Sequence, residues 1–146
     1  MKRSNLLIFM LLIVAALQLS ACAPKAATIE KISPSVVETI EGSDLKRVIL
    51  TQKATERLNI QMGSIHDEQV NGATRSVVPY AAIIYDLEGK TWLYTSPAPL
   101  TFVREPITIE FIEGDTAVLT NGPSSGTEVV ILGVSELYGT ETGVSK

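Results

Sequence analysis

The sequence predicts a compact all-β domain, a small barrel or roll of about eight short strands with one short helix. Three observations lead there. Runs of residues rich in Val, Ile, Thr and Tyr recur from Val36 onward, divided by Gly, Asn, Asp and Pro. Asn71-Gly72, whose two residues both accept positive φ, is a strong hairpin dipeptide. No long amphipathic stripe, heptad run or internal repeat competes with this pattern.

The N-terminal elements come first. Met1-Lys2-Arg3 is basic, Leu6 to Leu17 is uncharged and apolar, and Leu19-Ser20-Ala21-Cys22 closes the stretch with small residues and a cysteine. About 12 apolar residues are short for a stable span, which needs roughly 20. Basic, apolar and small, in that order, is the layout of an export leader. With Cys22 it resembles the lipobox of bacterial lipoproteins, which implies a leader over 1–21 and an acylated Cys22 at the mature terminus. An ordinary secretory leader would instead leave the chain's only cysteine as an unpaired thiol outside the cell. The expectation is therefore a lipid anchor at Cys22 on the extracytoplasmic face of a membrane, with inner or outer membrane undetermined.

Residues 22–35 read as a flexible tether of mostly small residues with Pro34 near its end. The domain then occupies 36–146. Val36 to Ile40 and Lys46 to Leu50 form a hairpin around Glu41-Gly42-Ser43-Asp44. Thr51 caps a short helix through Leu58, because its hydroxyl can accept a free first-turn amide, and Asn59 ends it by adopting the left-handed conformation. Ile60 to Val70 is extended, and Thr74 to Val78 returns after Asn71-Gly72. Ala81 to Tyr85 and Thr91 to Thr95 flank a turn at Asp86 to Lys90. Phe102 to Phe111 alternates around Pro106, with Ile107, Ile109 and Phe111 on one face. Thr116 to Leu119 and Glu128 to Leu132 are further strands, and Ser135 to Tyr138 is a final turn.

Charge narrows the partners. The chain has 12 basic and 16 acidic residues; losing Lys2 and Arg3 with a leader leaves 10 against 16, a net charge of about −6. No basic cluster in that remainder suits nucleic acid.

Several segments carry a family resemblance. Val78-Pro79-Tyr80-Ala81-Ala82-Ile83-Ile84-Tyr85 followed by Gly89-Lys90-Thr91-Trp92-Leu93-Tyr94 resembles the last segment of the periplasmic adaptor subunits of RND and ABC efflux systems, the membrane fusion proteins. Phe102 to Ile107 is similar to their next strand, Gly122 to Val130 to their glycine-bearing turn and strand, and Gly133 to Gly139 to their ending. Upstream, Val48-Ile49-Leu50-Thr51 through Arg57-Leu58-Asn59-Ile60 resembles the first segment of the same membrane-proximal domain, with Asn59 where the family often has Gly. The resemblance spans roughly residues 46 to 143 and one of the family's four domains. The barrel domain, lipoyl-like domain and helical hairpin that separate the two segments in a full adaptor are replaced here by Asn71-Gly72. The resemblance implies a non-enzymatic accessory of an envelope transporter that binds the permease or a full-length adaptor.

Chemistry-bearing residues are sparse. His66, the only histidine, lies beside Asp67 and Glu68, but Ser64 and Asp67 diverge from one another on a strand, so no catalytic set forms. His66 with Met62 lacks a spaced set of further metal ligands. Glu110, Glu113 and Asp115 lack the oxygen-ligand spacing of a calcium loop, and Gly122 and Gly126 are followed by no strand–loop–helix phosphate cradle. The sequence thus points to no catalytic residue, metal or cofactor. Trp92 and Tyr94 share a strand face, with Tyr80 and Tyr85 nearby. Core packing accounts for such residues; the alternative is a solute- or glycan-binding lipoprotein using that aromatic face.

Overall fold

The β-rich part of the chain folds into two antiparallel sheets, seen in a computed structural model that describes residues 33–144. The leader expected over 1–21, Cys22 and residues 23–32 of the expected tether lie outside the described residues.

The chain enters through β1 (Ser35–Thr39), one residue ahead of the expected start, and turns at Gly42 (φ 76°) into β2 (Lys46–Leu50). The helix α1 (Gln52–Arg57) follows at once. Thr51 Oγ1 accepts the Ala54 amide at 3.2 Å, satisfying one of the first-turn donors, and Asn59 adopts φ 53° just beyond the helix end. Next come β3 (Gln61–Ser64) and β4 (His66–Val70), then β5 (Ala73–Pro79), reached through Asn71 and Gly72 at φ 53° and 80°. A 3-10 turn at Tyr80–Ala82 leads to β6 (Ile84–Tyr85) and β7 (Thr91–Ala98). The remaining strands are β8 (Thr101–Pro106), β9 (Thr108–Glu113), β10 (Thr116–Asn121) and β11 (Glu128–Leu132), and the helix α2 (Val134–Thr142) follows.

The larger sheet has the order β1-β2-β8-β7-β11-β3, with β6 also paired to β7; the smaller has the order β4-β5-β10-β9. Neighbouring residues on the central strands serve two different cores, because successive side chains point to opposite faces. Tyr94 and Val130 join Val48, Leu50 and Phe102 beneath the helices, where Ala54, Val134 and Leu137 meet them. Leu93 and Val129 face the smaller sheet, packing with Val78, Ala117 and Leu119. Burial on both faces accounts for the consecutive buried residues Leu93, Tyr94 and Thr95 of β7 and Val129 and Val130 of β11.

Three sequence expectations need correction. The fold is all-β, but the sheets do not close into a barrel: the larger ends in β1 and β3, the smaller in β4 and β9. Second, the described residues hold eleven strands where about eight were expected, and two stretches read as continuous are split between the sheets. Ile65, fully buried, divides β3 from β4, and Pro106 with buried Ile107 divides β8 from β9. A proline has no amide to give a ladder, so the break falls there. Third, the turn expected at Ser135 to Tyr138 belongs to the nine-residue α2, a second helix among the described residues. Val134, Leu137 and Glu141 are its buried residues, the i, i+3, i+7 spacing of one helical face. A glutamate in that stripe disguised it.

Candidate binding groove

An open groove of about 740 Å³ lies between the β1–β2 hairpin, α1 and the last turn of α2. Val37, Leu50, Ala54 and Leu58 give it an apolar lining, and Lys46 and Arg57 supply two cations. The local folding explains this placement. Leu50 ends β2 pointing inward, Thr51 starts the helix immediately, and Ala54 lies on its buried side. Pro34 also lines the groove, so the chain enters the domain at its edge.

The α2 wall is tied to the larger sheet by charge. Glu141 is 3% exposed in its side chain; its Oε1 lies 3.1 Å from a guanidinium nitrogen of Arg104, itself 14% exposed. The buried Tyr94 hydroxyl donates to Glu141 Oε2. Burial, joined by that bond to a carboxylate, pushes the Tyr94 phenol well above its ordinary value. Arg104 is held between aromatic faces: its guanidinium carbon is 4.5 Å from the Trp92 ring centre and 5.4 Å from that of Tyr138. Its Nε is buried with no hydrogen-bond partner. Trp92 is fixed in turn, its Nε1 donating to Asp86 Oδ2 at 2.9 Å. Lys46 Nζ donates to the backbone oxygen of Glu141 at 3.4 Å, joining the groove to this cluster.

The residues singled out in the sequence are scattered. His66 is exposed on β4 with Nε2 3.9 Å from Glu68, and its Nδ1 meets only the backbone oxygen of Ser64, at 3.5 Å. The Asp67 carboxylate accepts the Ser76 hydroxyl at 3.0 Å. Met62 is exposed on β3. Glu110 pairs with Arg75 at 3.3 Å, and Glu113 and Asp115 flank the turn at Gly114. Among the described residues no three His, Cys, Asp or Glu side chains gather as metal ligands. Of the four aromatics, Tyr94 is core and Trp92 stacks on Arg104, while Tyr80 and Tyr85 are exposed.

Arg104, Glu141, Lys46 and Arg57 drew no attention in the sequence. The i, i+3, i+7 spacing of Val134, Leu137 and Glu141 was the signal that could have found Glu141; the others carry no local mark. No helix among the described residues is long and apolar enough to cross a membrane. The chain matches no protein-family model, no curated protein and no solved structure.

Proposed function

We propose that this protein is a lipid-anchored, non-enzymatic accessory of an efflux-type envelope transporter, docking on the permease or a full-length adaptor from the extracytoplasmic side. The observation that carries this reading is the strand order of the larger sheet. The two adaptor-like segments are separate in sequence, one before Asn71-Gly72 and one after it. β2 belongs to the first segment, with β1 and β3 flanking it in sequence; β8, β7 and β11 belong to the second. β1, β2 and β3 bracket the other three, and all six strands share one sheet. Two pieces of one domain joined by a tight hairpin need such mutual completion. Within this reading 1–21 is the leader, Cys22 carries the lipid, and 22–35 tethers the domain. Confinement to the membrane raises the effective concentration near a membrane-embedded partner.

The test is capture of the full chain from detergent extracts, with identification of a permease or adaptor among the captured proteins. Mass spectrometry of the mature terminus accompanies it. Specific recovery of such a component with an acylated residue 22 supports the reading; an unacylated terminus or the absence of any transporter component overturns it.

A further inference from the structure

The groove lies along the β1 edge of the larger sheet, beyond which no strand pairs among the described residues, and the hydrogen-bond alternation of β1 decides which of its backbone groups face outward. The Thr51 amide donates to Pro34 O at 3.0 Å, and the Ile40 amide to Leu45 O at 3.1 Å. In an antiparallel ladder bonded and non-bonded pairs alternate. Pro34, Val36, Glu38 and Ile40 therefore turn their polar groups toward β2. Ser35, Val37 and Thr39 turn theirs away. The next ladder agrees: the Leu50 amide donates to Leu100 O at 2.9 Å, so the even-numbered residues of β2 serve β8 and its odd-numbered ones serve β1.

Ser35, Val37 and Thr39 also line the groove. One set of three residues thus presents both its side chains to the groove and its backbone donors and acceptors to the open edge. The Ser33 hydroxyl takes the Ser35 oxygen at 2.6 Å; the groups of Val37 and Thr39 remain, and among the described residues β1 pairs only with β2. Neither Lys nor Pro interrupts Ser35–Thr39, and Val36 and Val37 are 49% and 39% exposed. Edges of this kind accept added strands.

The cations set the pattern of what would be added. Lys46 stands across from Thr39, at one end of β1. Leu50 stands across from Ser35, at the other end, where the chain turns into α1, whose last residue, Arg57, also lines the groove. Apolar Val37 lies between. A strand laid along this edge shows alternate side chains to the groove, so its best match is an acidic residue, an apolar residue two positions on and a second acidic residue two further. A lipid headgroup could meet the cations but would leave the Val37 and Thr39 edge groups without partners, which favours a peptide.

We propose that β1 is a docking edge for an extended acidic–apolar–acidic peptide segment, bound by strand addition with its acids on Lys46 and Arg57. It rests on the preceding reading only in taking the chain to act by docking. The test uses the full chain in phosphatidylcholine nanodiscs and a fluorescein-labelled heptapeptide, Thr-Glu-Thr-Val-Thr-Glu-Thr, followed by anisotropy. The peptide should bind, and its Lys-for-Glu counterpart should not. Lys46→Gln and Arg57→Gln, both at exposed positions, should each weaken binding by about tenfold. Two copies N-methylated on alternate residues separate strand addition from simple charge attraction: the copy methylated on the pairing edge should lose binding and the other keep it. Absence of peptide binding, equal binding of both methylated copies, or displacement of the peptide when phosphatidylglycerol replaces the phosphatidylcholine overturns the proposal. Peptide binding without any captured transporter component would overturn the transporter reading and leave the docking edge standing.

Discussion

Arg104 on β8 and Glu141 on α2 form an ion pair at 3.1 Å that is almost entirely removed from solvent. The guanidinium is also stacked between Trp92 and Tyr138, and the carboxylate also accepts the Tyr94 hydroxyl. One charge pair thereby joins the central strands of the larger sheet to the helix that forms a wall of the groove.

Removing one partner leaves the other charge buried alone, which costs about 3–5 kcal/mol, while replacing both with apolar groups costs far less. Glu141→Leu should therefore lower unfolding stability by about that amount, and adding Arg104→Met should restore much of it. Urea unfolding of the two single variants and the double variant measures the coupling. Strictly additive effects would show that the pair does not act as a unit.

Tyr94 supplies an alkaline signature. Unfolded, a tyrosine loses its proton near about pH 10; folded, burial and the bond to Glu141 hold this one well above that. Above the unfolded value the native chain binds more protons than the unfolded one, so stability falls as pH rises, by up to about 1.4 kcal/mol per unit for this group. Its contribution is complete below about pH 10. Tyr94→Phe should cost about 1.5–3 kcal/mol at neutral pH, as expected for a hydrogen bond to a charged group. Its deficit relative to the parent should shrink above about pH 10. A deficit that stays constant into the alkaline range would refute the assignment.

Local signals in the sequence were reliable where chemistry is local. Asn71-Gly72, the Thr51 cap, the Asn59 terminator and the bounds of Glu128–Leu132 follow from what those residues can do by themselves. The helix α2 did not, because Gly139, Thr140 and Thr142 are weak helix formers and Glu141 interrupts the apolar stripe. Tertiary packing stabilises it. Nor does any spacing tell that Arg104 would meet Glu141, or that Lys46 and Arg57 would line one groove. Those relations exist only once β2 has paired with β8 and α2 has packed on the sheet.

Gly133 is required for two reasons at once. It enters α2 at φ 81°, and an added Cβ would lie 2.9 Å from Leu58 O and 2.5 Å from Ile60 Cδ1. Gly42 shares the left-handed conformation, at φ 76°, but a Cβ there meets nothing within 4 Å. Gly42→Ala should cost only the conformational term of about 1–2 kcal/mol. Gly133→Ala should cost clearly more, since backbone at Leu58 must also move. Thermal unfolding of the two variants side by side tests this, and equal losses would mean the close approach to Leu58 relaxes freely.

Asp86 gives an acid counterpart to Tyr94. It opens the loop between β6 and β7, where its Oδ1 accepts the Glu88 and Lys90 amides and its Oδ2 accepts Trp92 Nε1, each at 2.9 Å. Desolvation pushes this carboxyl up. The Trp92 bond, the two amides and the Lys90 charge outweigh it, so the group sits below the ordinary aspartate value. A depressed native value means that the unfolded chain takes up its proton first as pH falls. The stabilisation is present above about pH 4 and is lost on acidification through that value and below. Asp86→Asn keeps the shape without the charge, so its melting temperature should lie below the parent's at neutral pH and converge on it as pH drops under about 4. Trp92 is the only tryptophan, so its emission reports the same contact directly. A gap between parent and variant that persists unchanged down to about pH 3 would show that the carboxylate charge contributes nothing to this loop.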